Sequence, residues 1–240
     1  MQKIEVHARL KQKLEAYQPA LATPRLLQDT PILLLVGISG AGKDSIKQEL
    51  LKSGDYHHIV SHTTRAPRAN HGVMEQDGTA YHFISLGEAE KMLDEHAYVE
   101  AKMYSGNIYG TSVAEIQAAH DTKKIAVTDM EIQGVAEYMD IDPNIKAVFV
   151  LPPSYQVWQE RFMKRYGGDV EQGDFKKRMH TAWQELEHAL HTPYFHFVVN
   201  DSLELAVAEV NRIATDTQID HTKADAARAI AEELASSIIP

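Results

Sequence analysis

The chain has 240 residues, 44% of them hydrophobic, a formal net charge of -10 and no cysteine. Its length and hydrophobic content suffice for the core of one large domain, or of one domain with small appendages. The lack of cysteine excludes disulfides, thiolate zinc sites and a cysteine nucleophile, and the negative charge disfavours nucleic acid as a partner.

The N-terminal residues 1–30 are predicted to form a helix followed by a connector. Apolar residues recur at helical spacing at Ile4, Leu10, Leu14 and Tyr17, and a proline-containing stretch follows. The helix is charged throughout, and the longest apolar run of the chain, around "PILLLVG", is far shorter than the roughly 20 residues that span a bilayer. We therefore expect no membrane partner and a cytoplasmic location.

Short apolar runs farther along the chain predict the strands of an α/β fold. The runs "ILLLVG", "IAVTDM", "KAVFVL" and "FHFVVN" alternate with helical segments, which is typical of a parallel sheet core flanked by helices. Capping boxes at Ser85, Ser112 and Asp201 predict where three helices begin. Shorter strands and a hairpin at "YSGNIYG" predict a small inserted subdomain, and residues 216–240 predict a C-terminal helical tail.

A phosphate-binding loop is predicted at "GISGAGKDS", between an apolar strand and a helix. Glycines let successive N–H groups face a phosphate, the helix N-terminus adds its positive dipole end, and the lysine adds a full charge. The pattern therefore predicts an ATP site. Its residues are Gly37, Ser39, Gly40, Ala41, Gly42, Lys43, Asp44 and Ser45.

Asp44 departs from the usual loop, in which a Ser or Thr hydroxyl at this position reaches Mg2+. A carboxylate is a stronger magnesium ligand than a hydroxyl, but it places a negative charge close to the phosphates. We expect Asp44 to bind the metal directly. Coordination by Ser45 would require the first helical turn to shift.

A second anion site is predicted between residues 61 and 112. Arg65 and Arg68, with Pro67 between them, form a cationic pair suited to a phosphate. Tyr81 and Tyr109 can donate hydroxyl hydrogen bonds to the same group. A solvated basic loop is the structural alternative, but it leaves both tyrosines unexplained.

Five segments, taken in chain order, resemble the guanylate kinase family. They are the phosphate loop, "SHTTRAPR", "AYHF", "YVEAKMYSGNIYGTS" and "TDMEIQG". The resemblance covers about residues 31–215. It implies the P-loop NTPase fold with a monophosphate-binding subdomain at about 61–112 and a helical lid at about 161–178. It also implies Mg2+-dependent phosphoryl transfer from ATP to GMP.

The resemblance also assigns roles to single residues of the acceptor site. Glu100 lies in an apolar strand, where a carboxylate is costly unless it is liganded, and it matches the residue that accepts hydrogen bonds from guanine N1 and N2. An ion pair with a nearby lysine is the structural alternative. The whole implied acceptor set is Ser61, Arg65, Arg68, Tyr81, Glu100, Tyr109, Thr111 and Glu131.

The catalytic residues implied by the resemblance come from the loop, a strand end and the lid. Asp129 ends an apolar strand, as does the acidic residue near the magnesium of phosphate-loop enzymes. Arg161 and Arg165 lie four residues apart on one helix face, and Arg178 follows on the next helix. Lys43 of the phosphate loop completes this implied set of catalytic residues. Asn200 matches an asparagine on the adenosine side, although a turn at a strand end also explains it.

Two alternative functions remain open from the sequence. "GKDS" is similar to the loop of ribose bisphosphokinases, which would phosphorylate ribose 1,5-bisphosphate, but such an acceptor has no base for Glu100 and Thr111 to contact. A catalytically silent interaction domain with this fold is the second alternative, and such modules typically lose the phosphate loop. The sequence does not indicate an oligomeric state.

Overall fold

The computed structural model describes residues 2–70, 73–165, 172–216 and 220–238. The helices in this part of the chain are α1 (Gln2–Glu15), α2 (Thr23–Gln28), α3 (Lys43–Lys52), α4 (Leu86–Asp94), α5 (Val113–Thr122), α6 (Ile132–Ile141), α7 (Tyr155–Arg165), α8 (Gln172–Leu190), α9 (Leu203–Thr215) and α10 (His221–Ser237). The strands are β1 (Ile32–Val36), β2 (Tyr56–His58), β3 (His62–Thr63), β4 (Ala69–Asn70), β5 (Val73–Met74), β6 (His82–Phe83), β7 (Tyr98–Tyr104), β8 (Asn107–Ser112), β9 (Ile125–Asp129), β10 (Lys146–Leu151) and β11 (Phe195–Val199).

In the described part of the chain these strands form a five-stranded parallel sheet, a four-stranded sheet and a two-stranded sheet. The larger sheet has the order β11-β10-β1-β9-β2, and β10 pairs in parallel with both β1 and β11. Every residue of β1 is buried, as expected of a strand whose sheet is covered on both faces. A second sheet has the order β6-β3-β8-β7, and β4 pairs with β5. The predicted α/β fold with a parallel core flanked by helices is therefore confirmed.

The chain divides into two compact units. The first comprises Met1–Pro31 and His57–Ala126, and the second comprises Ile32–Tyr56 and Val127–Pro240. In the described part of the chain, we find no helix that is long and apolar enough to span a membrane.

In the second unit, apolar strands and helix faces supply the core. The four central residues of β10 have no exposed surface: Ala147, Val148, Phe149 and Val150. Helix α10 packs against α8 and β11, and the Arg228 guanidinium donates to the Leu190 carbonyl at the end of α8, at 2.8 Å. The predicted C-terminal helix is therefore part of this core.

In the first unit, α1 and α4 share a core with the β7–β8 hairpin. Leu10 of α1 is buried in a cluster with Ala89, Leu93, Tyr98 and Ile108. The hairpin turns where Ser105 and Gly106 have φ values of 48° and 78°, as a two-residue primed turn requires. The predicted hairpin at "YSGNIYG" is confirmed, and the N-terminal helix contributes to its core.

Two of the three predicted helix caps are confirmed. Ser85 forms a complete capping box with Glu88, and the Ser112 hydroxyl accepts from the Glu115 N–H. The prediction for α9 was wrong by one residue, because the cap is Ser202 rather than Asp201. The Asn200 N–H bonds to the Leu151 carbonyl, so the pairing of β11 with β10 continues to residue 200 and the chain turns into the helix later.

His62 is expected to make the stability of the first unit depend on pH. Burial and the neighbouring His82 lower its pKa from 6.5 to about 4, and Glu115 and Asp77 oppose this only in part. The unfolded chain therefore binds a proton at this position before the folded chain does. We expect the free energy of unfolding to fall by about 2 kcal/mol as pH falls from 6.5 to 4.

A His62→Phe variant measures this contribution, because it keeps a ring against Tyr98 and removes the titration. Denaturant unfolding at several pH values should show a smaller loss of stability in acid for this variant than for the native chain. His221→Phe, at the exposed start of α10, is the matched control. Parallel pH profiles for the native chain and His62→Phe would contradict the prediction.

Candidate functional site

The phosphate loop of the second unit has a backbone that only glycine can adopt at several positions. Gly37, Gly40 and Gly42 have φ values of 139°, 89° and 98°. A Cβ on Gly37 would lie 2.3 Å from the Val150 carbonyl oxygen, and one on Gly42 would lie 2.2 Å from Asn200 Nδ2. Both distances are shorter than any tolerated contact, so the loop requires glycine at these two positions.

Buried side chains hold this loop from β11 and α7. Asn200, which is 6% exposed, donates from Nδ2 to the Ala41 carbonyl at 2.8 Å. Trp158, which is 1% exposed, donates from Nε1 to the Ser39 carbonyl at 2.9 Å. Trp158 was not among the residues predicted from the sequence, and Asn200 was predicted on the adenosine side. The structure shows that Asn200 braces the loop, and its contact with a nucleotide stays a prediction.

The loop leads into the N-terminus of α3, which presents backbone N–H groups. Gly42 is the N-cap and supplies no side-chain acceptor, so the first N–H groups of the helix have no capping oxygen. Lys43 begins the helix, and its ammonium donates to the Gly37 carbonyl. Asp44 and Ser45 are exposed in the first turn. Helix dipole, N–H groups and lysine together form a site for an anion such as a phosphate.

Asp129, at the end of β9, forms an ion pair with Lys47 of α3. Burial acts to raise the pKa of Asp129, but Lys47 and then Lys43 outweigh it, so the pKa is lowered. The carboxylate therefore stays ionised beside the helix that follows the loop. Lys47 was not among the residues predicted from the sequence, because a lysine in the second turn of a helix is usually a solvated residue.

A further carboxyl group, Glu185 of α8, lies in the electrostatic field of Lys43. Burial raises the pKa of Glu185 to about 7, Lys43 opposes this shift, and Glu131 adds to it. Near neutral pH this group is therefore partly protonated, and it only partly neutralises the lysine. Glu131 is the N-cap residue of α6, and its predicted contact with the base stays a prediction.

The predicted lid arginines are described only in part. The guanidinium of Arg161 on α7 donates to the Asn200 carbonyl at 3.0 Å, which places it beside the residue that braces the loop. Arg178 is exposed on α8. Arg165 ends α7, but its side chain and residues 166–171 lie outside the described residues, and so does their role in the predicted lid.

In the first unit, Glu75 binds both arginines of the predicted phosphate site. Its carboxylate oxygens accept from the two terminal nitrogens of Arg65 at 2.8 and 3.0 Å. The backbone N–H of Arg68 donates to the same carboxylate at 3.0 Å, and the Arg68 Nε lies 3.5 Å from it. Glu75 is 8% exposed, so a buried carboxylate holds both arginines of the predicted phosphate site. Glu75 was not predicted from the sequence, because it lies within the unusually long connector from Arg68 to Tyr81.

Aromatic rings surround the Arg65 guanidinium. Its central carbon lies 5.3 Å from the centre of the Tyr81 ring and 5.8 Å from that of Phe83. The Tyr81 and Tyr109 rings lie edge to face at 6.0 Å. Arg65 is held on several sides, and the structure brings it together with Arg68, Tyr81 and Tyr109 as the sequence predicted.

The predicted base-contacting residues lie in a row across the second sheet. Glu100 and Thr111 face each other across β7 and β8, and Glu100 Oε1 accepts from the Thr111 N–H at 3.0 Å. The register His62 to Gly110 places Ser61 beside Thr111. Within the described residues, the buried Thr111 Oγ1 has no hydrogen-bond partner. A buried hydroxyl without a partner beside a carboxylate fits a ligand that carries both acceptors and donors.

No group of three or more histidine, aspartate or glutamate side chains in the described ranges could hold a metal ion by itself. A nucleotide-associated Mg2+ needs no such cage, since it is usually bound by one or two carboxylates, waters and phosphate oxygens. The exposed carboxylate of Asp44, at the helix end that presents N–H groups, fits this type of coordination.

Comparisons with known proteins agree with this geometry. The family model "Guanylate kinase" matches residues 29–217. The chain is 35% identical over 184 residues to a guanylate kinase of Schizosaccharomyces pombe, covering 75% of this chain and 88% of that protein. It is 33% identical over 187 residues to a guanylate kinase of Homo sapiens, covering 77% of this chain and 92% of that protein.

A solved structure also shares the fold. The crystal structure of guanylate kinase from Anaplasma phagocytophilum superimposes with a TM-score of 0.59 at 21% identity, covering 81% of this chain and 93% of that chain. The family match and the identities over most of the chain lead to one conclusion: the chain belongs to the guanylate kinase family.

Proposed function

We propose that this protein is a guanylate kinase that transfers the γ-phosphoryl group of ATP to GMP and releases ADP and GDP. The observation that carries the proposal is the row of base-reading groups in the first unit. Glu100 is oriented by the Thr111 N–H, and the buried Thr111 hydroxyl has no protein partner in the described residues. This arrangement suits guanine, which offers N1–H and N2–H donors beside the O6 acceptor.

The donor half of the reaction belongs to the braced loop. Its backbone N–H groups and Lys43 bind the β- and γ-phosphates of ATP, and the arginines of α7 and α8 neutralise charge on the transferring group. Kinases of this type need no covalent intermediate, since positioning and charge neutralisation supply the rate enhancement. Arg161 already lies beside the loop through its bond to Asn200.

The acceptor half belongs to the tyrosine and arginine cluster. Arg65, Arg68, Tyr81 and Tyr109 bind the phosphate of GMP, and the bidentate contact with Glu75 keeps the Arg65 fork in place before the substrate arrives. The site is therefore organised before GMP binds, which lowers the ordering cost of binding.

Mg2+ fits the donor site, where Asp44 would hold it and where the bound ion neutralises charge on the phosphates. Asp129 remains ionised beside Lys47 and is the second acidic group of this region. A cytoplasmic location, and the expectation that neither nucleic acid nor a membrane is a partner, stay predictions.

The alternatives fit the two sites less well. A ribose bisphosphate acceptor lacks a base, so it would leave the Thr111 hydroxyl without a partner and Glu100 without a donor from the substrate. A silent interaction domain has no need of a loop in which two glycines are sterically required and two buried side chains brace the carbonyls.

A coupled assay of ADP release tests the proposal. The acceptors are GMP, AMP, UMP and ribose 1,5-bisphosphate, each with and without Mg2+. We expect turnover with GMP and Mg2+, and little with the others. Equal or faster turnover of ribose 1,5-bisphosphate would support the sugar kinase, and failure to bind Mg2+-ATP in a calorimetric titration would support the silent domain.

Asp44→Ser is expected to keep the enzyme active but to change its metal requirement. A hydroxyl is a weaker ligand than a carboxylate, so the Mg2+ concentration for half-maximal rate should rise by about tenfold. Glu49→Gln, farther along the same helix and paired with the exposed Lys52, is the control and should leave the requirement close to that of the native enzyme. An inactive native enzyme that Asp44→Ser rescues would contradict direct coordination by Asp44.

A further inference from the structure

Strand β7, which carries Glu100, is the last strand in the order β6-β3-β8-β7 and contains an irregularity next to that residue. Its register with β8 shifts between Tyr98 and Glu100: Tyr98 pairs with Ser112, and Glu100 pairs with Thr111. Such a bulge changes the direction in which the following side chain points. The orientation of Glu100 therefore depends on how the chain is held at Tyr98.

Tyr17, which follows α1, holds the backbone of Tyr98 on both sides. Its hydroxyl donates to the Tyr98 carbonyl at 2.6 Å and accepts from the Tyr98 N–H at 2.9 Å. One side chain thus replaces a neighbouring strand at this residue. The Tyr17 ring also packs edge to face on the Tyr98 ring, with their centres 6.3 Å apart.

Helix α1 is anchored along the whole hairpin. The His7 imidazole lies 3.0 Å from the Gly106 carbonyl at the hairpin turn, and Tyr17 lies at the other end of β7. Between them, Leu10 is buried in the core that includes Tyr98 and Ile108. The helix therefore contacts the hairpin on both sides of Glu100.

Ion pairs fix α1 to α4 as well, at a distance from the hairpin backbone. Lys13 lies 2.9 Å from Glu90 and 2.6 Å from Asp94, and Arg9 lies 2.6 Å from Glu90. These pairs are partly exposed, so each contributes only modestly to stability. They offer a way to weaken the docking of α1 without touching the bulge.

We propose that Tyr17 is a positioning residue for Glu100, and that its two bonds to the Tyr98 backbone set the affinity and base specificity for GMP. A slip of one residue in the pairing of β7 would turn Glu100 to the opposite face of the sheet. The hydroxyl of Tyr17 prevents this slip by holding the residue that precedes the bulge. This inference rests on the proposed function, since it gives Glu100 its role toward guanine.

The positioning device lies outside the region of the chain that the family model matches. The family model begins at residue 29, whereas Tyr17 and α1 precede that residue. The contacts of α1 are nevertheless built into the core beneath the base-reading strand. The device therefore tunes acceptor recognition from outside the region that the family model matches.

Tyr17→Phe tests the proposal, because it keeps the ring and removes both hydrogen bonds. We expect the KM for GMP to rise by about tenfold, while the KM for ATP and the kcat at saturating GMP stay close to the native values. The preference for GMP over IMP, which lacks the 2-amino group that Glu100 contacts, should fall as well. Lys13→Met, which weakens docking of the same helix, is the matched control and should leave this preference unchanged.

Hydrogen–deuterium exchange without substrate provides a second readout on the full chain. Residues 98–104 should exchange faster in Tyr17→Phe than in the native protein or in Lys13→Met. An unchanged KM for GMP in a Tyr17→Phe enzyme, or equal changes in both variants, would overturn the positioning role. If the native chain does not phosphorylate GMP, the proposed function fails, and the exchange experiment still decides whether Tyr17 holds the bulge.

Discussion

Lys43→Met is expected to lower kcat for GMP phosphorylation by about a thousandfold, because it removes the charged group that neutralises the transferring phosphoryl group. In the structure the Lys43 ammonium donates to the Gly37 carbonyl, so it is already directed toward the predicted phosphate loop. Its neighbour Glu185 is partly protonated near neutral pH and leaves much of this charge available. Steady-state assays with saturating ATP and GMP measure the effect.

Lys52→Met is the control for this substitution. Lys52 lies in the last turn of the same helix, α3, where its exposed side chain pairs with Glu49. Lys52→Met therefore removes the same charge from the same helix as Lys43→Met does, but it leaves the loop intact. Its kcat should stay within about twofold of the native value. A Lys43→Met enzyme that retained a tenth of the native rate would exclude Lys43 from charge neutralisation.

The phosphate loop could be predicted from sequence because its determinants are local. The glycine spacing, the preceding apolar strand and the following helix all lie within residues 32–52. The predicted strands and the hairpin follow from patterns of the same short range. What the pattern does not contain is the set of groups that brace the loop, since Trp158 and Asn200 come from elements more than a hundred residues away.

Glu75, which contacts the arginines of the predicted acceptor site, could not be predicted for a similar physical reason. Glu75 lies within the unusually long connector from Arg68 to Tyr81, and a carboxylate in such a connector is typical of a solvated loop. Only tertiary packing shows that it is 8% exposed and bonded to two terminal nitrogens of Arg65. Glu185 on α8 was not predicted for the same reason. In a sequence, a charged residue on a long helix indicates an exposed helix face, and only the tertiary structure shows that this one is partly buried.

The N-terminal helix could be predicted from the sequence, but its packing partners could not. Its apolar spacing predicted a helix, and helix α1 confirms it. The partner of its apolar face could not be predicted, because Leu10 and Tyr17 meet strands and a helix about 80 residues later. Long-range pairing of this kind is set by the whole fold and leaves no local signal.

Glu100→Gln is expected to reduce kcat/KM for GMP by about a hundredfold to a thousandfold while leaving the slow reaction with AMP unchanged. In the proposed complex the carboxylate accepts hydrogen bonds from both donors of the guanine edge. An amide accepts through its oxygen only, and its own NH2 group would face and repel the second donor. The β7–β8 register and the bond from the Thr111 N–H keep either side chain in place, so the change tests charge and hydrogen bonding rather than folding. Competition assays with GMP and AMP measure the discrimination.

Glu95→Gln isolates the contribution of position from that of net charge. Glu95 belongs to the same unit, but its side chain is exposed and pairs with Lys91 on α4. It should have native kcat/KM for both acceptors. If Glu100→Gln lowered turnover of GMP and AMP in the same proportion, Glu100 would act on the architecture of the hairpin and not on the base. Because the Thr111 N–H can still donate to the amide oxygen, selective loss of GMP is the outcome that the structure requires.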